Sequence, residues 1–413
     1  MPDLDDDVHE VEHFPFLAHL EVLPAWENAA RLFLERGGPV MVLGAADTGK
    51  SSLSRYLIYR TFTAGLPGAL VDLDLGQSHL GPPATLGLGL YPPRLPGDDS
   101  LFPEGLYFLG RTSPVGSILE VAVGCRALAD QAARRGINRV VVNTSGLVHG
   151  LGALRLKRAQ VELLQPPLIL ALQRQQELEP LLEGLGGINL NLPEDLPAPA
   201  ISFPGGEGCG PGENPPNFST PSLALPHQGT GDDKESGWQV VRLPVSCRAT
   251  YKTPEDRRRY REGRFRRYFQ EARRLNLPWR SLVWEGLPWG REDPLDPGEL
   301  QRWGQILGVP VLYGESSGGR KMLLLEEPPR KNPLLPGDEP CHWLTWSSMH
   351  LRLVGFLDDS RRTLALGLIL PSAWDPEEMA FWTPLTPEAA RRVRFLKVGK
   401  MRLTLTGKEL ADV

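Results

Sequence analysis

The sequence predicts an α/β chain built on a mostly parallel sheet, followed by a β-rich C-terminal domain. Two observations carry this expectation. Apolar or β-rich runs at 39–44 (PVMVLG), 69–75 (ALVDLDL), 105–110 (GLYFLG), 139–145 (RVVVNTS) and 167–173 (PLILALQ) alternate with helical patterns such as SILEVAVGCRALADQAARRG. Strands separated by helices are what a parallel sheet with helices on both faces requires. Beyond about residue 286 the pattern shifts to short alternating runs, KMLLLEE, MHLRLVGFL, RTLALGLIL and RFLKVGKMRLTLTG, the signature of half-buried strands. A chain of 413 residues also exceeds the usual size of one hydrophobic core.

The elements follow in order. Residues 24–37, PAWENAARLFLERG, open on Pro and close on Gly around a short amphipathic helix that delivers the chain to the first strand. The division is a short N-terminal segment (1–38), a main α/β domain (39–285) and the β-rich domain (286–413). Residues 204–237 are too rich in Pro, Gly and polar residues to bury a core and read as a long surface loop.

Composition narrows the function classes. The net charge of −5 argues against a protein that coats nucleic acid over its whole surface, although a local basic patch is compatible with it. No run approaches the roughly 18 apolar residues of a membrane span, and the start, MPDLDDDVHE, is acidic where a signal peptide is basic. A soluble cytoplasmic protein without membrane contact is expected. Cys125, Cys209, Cys247 and Cys341 lie far apart with no CxxC pair, which suits free thiols. His9-Glu10-Val11-Glu12-His13 spells HExxH, but it sits among acids and runs at once into Phe14-Pro15-Phe16, so zinc is not expected there.

The segment Gly44-Ala45-Ala46-Asp47-Thr48-Gly49-Lys50-Ser51-Ser52 fits GxxxxGK[ST] between a buried strand and a helix, SSLSRYLIYRTF. This is a P-loop, and the fold class becomes a P-loop NTPase. Backbone N–H groups close around phosphate oxygens at the positive helix end, Lys50 neutralises β/γ charge, and Ser51 offers its hydroxyl to Mg²⁺. The natural candidate for a metal-binding Asp, RVVVN, ends instead in Asn143, and PLILALQ runs into RQQE rather than a guanine-reading NKxD. A GTPase switch protein is therefore disfavoured.

Carboxylates appear instead in VDLDLGQSHLGPP, 71–83. Asp72 and Asp74 are two apart on a predicted strand and so share one side of it. Two acids on one face of a buried strand need cations or donors, which Mg²⁺ and an acceptor hydroxyl would supply. Gln77 and His79 either bind the acceptor or are satisfied within their loop. Between Arg248 and Arg274 eleven Lys or Arg stand against four Asp or Glu, a surplus of seven. If the region after Pro254 is helical, Arg257, Arg261 and Arg264 fall on one face. The interleaved Tyr251, Tyr260, Phe265, Tyr268 and Phe269 either stack bases or, more in keeping with helical spacing, pack into a core.

Together, GAADTGKSSL, VDLDLGQSHLGPPATLGLGL, VVNTSGLVHGLG and YKTPEDRRRYREGRFRRYF resemble the polynucleotide 5′-hydroxyl kinases related to the RNA kinase of eukaryotic tRNA splicing and mRNA 3′-end formation, and to the kinase of ribosomal RNA processing. The C-terminal runs LVGFLDDSRRTLALGLIL and KVGKMRLTLTGKEL are similar to prokaryotic members. The resemblance implies transfer of the γ-phosphate of ATP, or another NTP, to the 5′-hydroxyl end of RNA or DNA, in RNA processing or nucleic acid repair.

It implies that Gly44, Asp47, Thr48, Gly49, Lys50, Ser51 and Ser52 bind nucleotide, with Ser51 and Asp72 at the metal. Asp74, or Asp72 in its place, activates the hydroxyl. Gln77 helps to place the terminal nucleotide or the metal's water shell, Asn143, Thr144, Ser145 and Gly146 form a clasp, and Arg257 and Arg261 with Lys252, Arg258 and Arg264 form a mobile lid. Two departures stand out. Leu147 occupies the position where the eukaryotic clasp often carries Trp, and the long eukaryotic N-terminal domain is reduced to residues 1–38, so no obligate protein partner is expected through it. Two other readings remain open: an NTPase that spends the nucleotide on water to drive a conformational change, and a nucleic-acid-binding scaffold that holds nucleotide without turnover.

Overall fold

The computed structural model describes residues 20–91, 103–186, 188–190, 238–287, 293–317, 320–329 and 341–411. The Pro- and Gly-rich stretch at 204–237 and the His9–His13 motif lie outside them.

Helix α1 (Pro24–Arg36) starts on its Pro and stops at Gly37, whose positive φ of 67° ends the helix. It leads into β1 (Gly38–Gly44), which is followed by α2 (Lys50–Thr63), β2 (Gly68–Asp72), β3 (Thr85–Tyr91) and β4 (Gly105–Phe108). Next come α3 (Ile118–Ala133), β5 (Arg139–Asn143), α4 (Gly150–Leu164), β6 (Leu168–Gln173), α5 (Glu179–Leu185), β7 (Ile188–Leu190) and β8 (Gln239–Pro244). These strands form one sheet in the order β4-β3-β2-β5-β1-β6-β8-β7.

The pairs from β2 through β5, β1, β6 and β8 to β7 are parallel, and β3 and β4 are added antiparallel at one edge. Strand β1 alternates its faces: Val40 and Val42 pack with α1 and α2, whereas Met41 and Leu43 pack with Val161 of α4 and with Leu181 and Leu182 of α5. The result is a three-layer α/β/α domain with the P-loop at the C-terminal end of a central strand, where such sheets bind ligands.

Strand β3 is absent from the sequence-based expectation. Its TLGLGLY run lacks large side chains at Gly87 and Gly89 because Leu80 lies against them; a Cβ on Gly87 would come within 2.7 Å of the Leu80 Cβ and carbonyl oxygen. The second strand also stops earlier than predicted, at Asp72 rather than at Leu75.

Helix α6 (Pro254–Tyr268) follows, opened by a capping box between Thr253 and Asp256. A second sheet comprises β9 (Arg273–Leu277), β10 (Val283–Glu285), β15 (Arg352–Leu357), β16 (Thr363–Ile369), β17 (Met379–Thr383), β18 (Phe395–Leu403) and β19 (Glu409–Leu410). Strands β9 and β10 precede residue 286 yet pair within this sheet, β9 with β17 and β10 with β18. The RRLNL of β9 carries only a two-leucine alternation, Leu275 and Leu277, behind two arginines. A third sheet, β11 (Asp293–Pro294), β12 (Val311–Ser317), β13 (Arg320–Leu325) and β14 (Cys341–Thr345), packs against α7 (Pro297–Leu307). Among the described residues no helix is long and apolar enough to cross a membrane.

The P-loop domain and the second sheet share a core. Ala84 and Phe108 from the first meet Leu353, Leu366, Leu368 and Leu403 from the second, with Phe265 and Phe269 of the α6 region between them. At one seam the backbones touch: a Cβ on Gly399 of β18 would lie 2.8 Å from the Cα of Gly110, and the Lys400 N–H donates to the Gly110 carbonyl at 2.9 Å. Gly399→Ala is expected to lower the unfolding free energy by about 1–3 kcal/mol, the usual cost of overpacking. Urea denaturation measures this, and an unchanged midpoint would contradict so tight a seam.

Candidate active site

The P-loop takes its shape from two residues. Gly49 precedes α2 at φ 88°, and Asp47 adopts φ 59°, so the backbone between Gly44 and Lys50 curls around an open centre. Gly44 permits close passage: a Cβ there would lie 2.4 Å from the Thr48 hydroxyl oxygen. That hydroxyl donates to the Ala45 carbonyl at 3.0 Å. The Lys50 ammonium donates to the same carbonyl at 2.5 Å. Burial lowers its pKa, while the carboxylates of Asp74, Asp47 and Asp72 pull it back up.

Asp72 is fully buried at the end of β2, and four donors hold it. Its Oδ1 accepts from the Asn143 side-chain amide at 2.9 Å and the Asp74 N–H at 3.2 Å, and its Oδ2 accepts from the His79 N–H at 2.8 Å and the Ser78 hydroxyl at 3.1 Å. Burial, with the charge of Asp74, pushes its pKa up to about 6. The Asn143 amide also donates to the Ser51 hydroxyl at 3.2 Å, so P-loop, β5 and β2 form one polar chain.

Asp74 is not on the strand with Asp72, as the sequence suggested, but in the turn beyond it. There its Oδ1 accepts from the N–H groups of Gly76 and Gln77. The turn brings Asp74 to the cavity and leaves Asp72 behind the wall. The cavity, about 570 Å³, is bounded by Asp47 to Ser52, Asp74 to Gln77 and His79, Ser145 to Leu147, and Lys252, Arg257 and Arg261.

Besides Asp72, the expected site residues Gly44, Asn143, Thr144, Arg258 and Arg264 do not line it. Thr144 is fully buried, its hydroxyl donating to the Val42 carbonyl at 2.8 Å. Arg264 is buried and donates to the carbonyls of His79 at 3.0 Å and Gly81 at 2.7 Å, which ties α6 to the Asp72–Gly81 loop. Arg258 faces a neighbouring groove. Arg258 is turned off the Arg257–Arg261 face by its one-residue offset, whereas Arg264 shares that face but sits further along the helix, over the loop carbonyls rather than the cavity.

The cationic helix is docked over the cavity. Arg257 pairs with Asp47 at 2.5 Å, the Lys252 N–H donates to the same carboxylate at 3.1 Å, and the Gln77 amide reaches the Arg257 carbonyl at 3.4 Å. Arg261 makes a two-pronged pair with Glu409 of β19. Phe265 and Phe269 are core residues, and beside them the Tyr268 hydroxyl oxygen accepts from the Leu366 backbone N–H at 2.8 Å, so helical spacing here meant packing. Tyr251 is exposed, and the Tyr260 hydroxyl donates to the Ser78 carbonyl. Burial and the charges of Arg55, Arg264 and Lys252 hold the His79 pKa well below its ordinary value, so its ring is neutral at pH 7.

Residues 44–194 match the family of the mRNA cleavage and polyadenylation factor CLP1 P-loop. The chain is 25% identical to the polyribonucleotide 5′-hydroxyl-kinase of Pyrococcus furiosus over 92% of its own length and 91% of that protein's. It is 24% identical to the one of Methanocaldococcus jannaschii, over 90% and 88%. The chain is thus similar over most of its length to archaeal polyribonucleotide 5′-hydroxyl-kinases, and its P-loop segment matches the CLP1 P-loop model. Its fold is similar to that of Clp1p in a complex with Pcf11p, with a TM-score of 0.55 at 12% identity over 91% of this chain and 78% of that one.

Other residues at or behind this cavity escaped the sequence reading. Thr112, Ser113 and Pro114 line it from the turn after β4, where GRTSP between a strand and a helix was an available signal. Lys157 of α4 carried none. It is fully buried behind the clasp, its ammonium donating to the Ser145 carbonyl at 3.0 Å. Burial, then the nearby Lys50 charge, pushes its pKa down to about 7. Between pH 7 and the unfolded value of 10.5 the folded state therefore binds fewer protons than the unfolded state, so this lysine's contribution to stability rises with pH. Lys157→Met is expected to gain on wild type as pH falls from 10 to 8, by up to about 1.4 kcal/mol per pH unit. Paired urea titrations check this, and a pH-independent difference would contradict the depressed pKa.

Proposed function

We propose that this protein transfers the γ-phosphate of ATP, or of another nucleoside triphosphate, to the 5′-hydroxyl end of an RNA or DNA strand. The observation that carries the reading is a single cavity onto which the phosphate loop, the Asp74 carboxylate, the clasp backbone and the two lid arginines all open. The polyribonucleotide 5′-hydroxyl-kinases similar to it over most of its length support the same reading.

In this account the N–H groups of Gly44 to Ser52 hold the nucleotide phosphates, and Lys50 turns its ammonium from the Ala45 carbonyl to the β/γ oxygens. The residues present fit Mg²⁺. The Asn143 Oδ1 is buried without a partner among the described residues, while the Nδ2 of the same amide donates to the Ser51 hydroxyl and to the negatively charged Asp72. Magnesium keeps most of its waters and asks for one or two protein ligands, which this set provides. Bound there, it would neutralise charge on the phosphates.

Asp74 accepts the proton of the 5′-hydroxyl, whose oxygen forms the new bond to the γ-phosphorus as the bond to the β,γ-bridging oxygen breaks and the diphosphate leaves. The Gly76 and Gln77 N–H groups hold the carboxylate in orientation for this role. Arg257 and Arg261 hold the transferring group and exclude water, which favours an alcohol over hydrolysis. The Arg257–Asp47 pair gives the lid a resting contact on the P-loop that phosphate would replace.

Incubation with γ-labelled ATP, Mg²⁺ and a 5′-hydroxyl oligonucleotide tests the reading. Label on the oligonucleotide is expected; free phosphate alone would indicate the hydrolase, and neither product the scaffold. Lys50→Ala is expected to lower turnover by about 10²-fold or more. Asp74→Asn should lower kcat by about 10²- to 10⁴-fold with nucleotide binding retained. Arg257→Ala and Arg261→Ala should each cost at least about tenfold. Near-normal transfer by folded Lys50→Ala or Asp74→Asn protein would contradict these roles.

A further inference from the structure

A second cavity of about 590 Å³ adjoins the first, and Thr112 and Ser113 line both. It runs between the loop after β4 and the β18–β19 edge of the second sheet. Four cations line it, Arg111, Arg258, Lys400 and Arg402, against one carboxylate, Glu409, which Arg261 already occupies. In a chain of net charge −5, this is a local reversal of sign.

The cations are held in place rather than neutralised. Arg111 spends one N–H on the Val115 carbonyl at 2.9 Å, Arg402 one on the His350 carbonyl at 3.1 Å, and Arg258 one on the Glu409 carbonyl at 2.9 Å. Arg258 also pairs with Glu262, but among the described residues no carboxylate pairs with Arg111, Lys400 or Arg402. Carbonyl anchoring fixes a guanidinium while its other N–H groups stay available as donors. The cations belong to α6, the loop after β4 and β18, so the fold assembles them rather than any one sequence run.

We propose that this groove binds the sugar-phosphate backbone of a single strand downstream of its 5′-terminal nucleotide, with Arg111, Arg258, Lys400 and Arg402 contacting successive phosphates. The inference rests on the kinase reading for its direction, since the 5′ end enters the P-loop cavity and the groove continues from it. Four cations along one groove suit a polyanion, and the half-buried Met401 and Leu410, which also line it, give apolar surface for sugars or bases. The β-rich domain thereby acquires a role as one wall of the nucleic-acid track.

The test compares 5′-hydroxyl oligonucleotides of two and eight nucleotides, labelled at the 3′ end, in fluorescence anisotropy over a salt series. The proteins are wild type, Lys400→Glu, and the double variant Lys400→Glu/Arg402→Gln. Wild type is expected to bind the octanucleotide at least about tenfold more tightly than the dinucleotide. The double variant should lose most of that gain, and its salt slope should fall by about 1.4, which is 0.7 for each lost phosphate contact. Lys400→Glu alone, on an exposed side chain, should lose part of the gain and keeps the test decisive if the double variant is unstable.

A groove variant that keeps the full length-dependent gain would overturn the proposal, as would equal competition by polyglutamate of matched charge. The two readings fail separately. A wild type that binds the octanucleotide through the groove but never labels it retires the kinase and keeps the groove. A wild type that labels it, with length dependence untouched in the variants, does the reverse.

Discussion

The site depends on the fate of one buried charge. Asp72 sits at the end of β2 with no exposure to solvent, and a carboxylate in that position is tolerable only when donors surround it. Four do, and they come from the Asp74 and His79 backbone, the Ser78 hydroxyl and the Asn143 amide. Satisfying the charge therefore closes the 74–81 loop into one conformation, ties it to β5, and through Asn143 reaches the P-loop hydroxyl of Ser51. Burial, with the charge of Asp74, still holds its pKa above the usual carboxylate range despite those donors. Such residual discomfort is what a cationic ligand relieves.

The closed loop then serves as the platform for α6. Arg264 and Tyr260 bond to the carbonyls of His79, Gly81 and Ser78, so the lid helix rests on the segment that Asp72 organises. Its C-terminal half is rooted in the interdomain core through Phe265, while its N-terminal half carries the cations over the cavity. The helix is thus anchored in the core at one end and held at the other by the ion pairs of Arg257 with Asp47 and Arg261 with Glu409. The second sheet contributes to the same arrangement by supplying Glu409 to Arg261 and a backbone seam at Gly399.

Much of this was legible in the residues. The Gly-rich run between an apolar strand and a helix, the Pro-to-Gly span of α1, and the arginines three and four apart after a proline all express local rules that tertiary packing did not override. What escaped depended on contacts that no local pattern displays. β3 alternates leucines with glycines because Leu80, from the turn just before it, packs on Gly87 and Gly89. Asp74 left the strand because its carboxylate satisfies its own turn, which no periodicity reveals. Thr144 and Arg264 are hydrogen-bonding residues in motif positions, and only the partner carbonyls of Val42, His79 and Gly81 decide that they brace the site from behind. Lys157 looks like any lysine on an amphipathic helix until α4 buries it under the clasp.

The central claim is that Asp74, oriented by its turn, meets the acceptor hydroxyl opposite the phosphate loop. A crystal structure with a non-hydrolysable ATP analogue, Mg²⁺ and a 5′-hydroxyl dinucleotide tests this most directly. The account predicts the 5′ oxygen within hydrogen-bond reach of the Asp74 carboxylate, roughly 2.6–3.2 Å, and in line with the γ-phosphorus. A hydroxyl held elsewhere, with Asp74 facing an ordered water at the γ-phosphate, would contradict it.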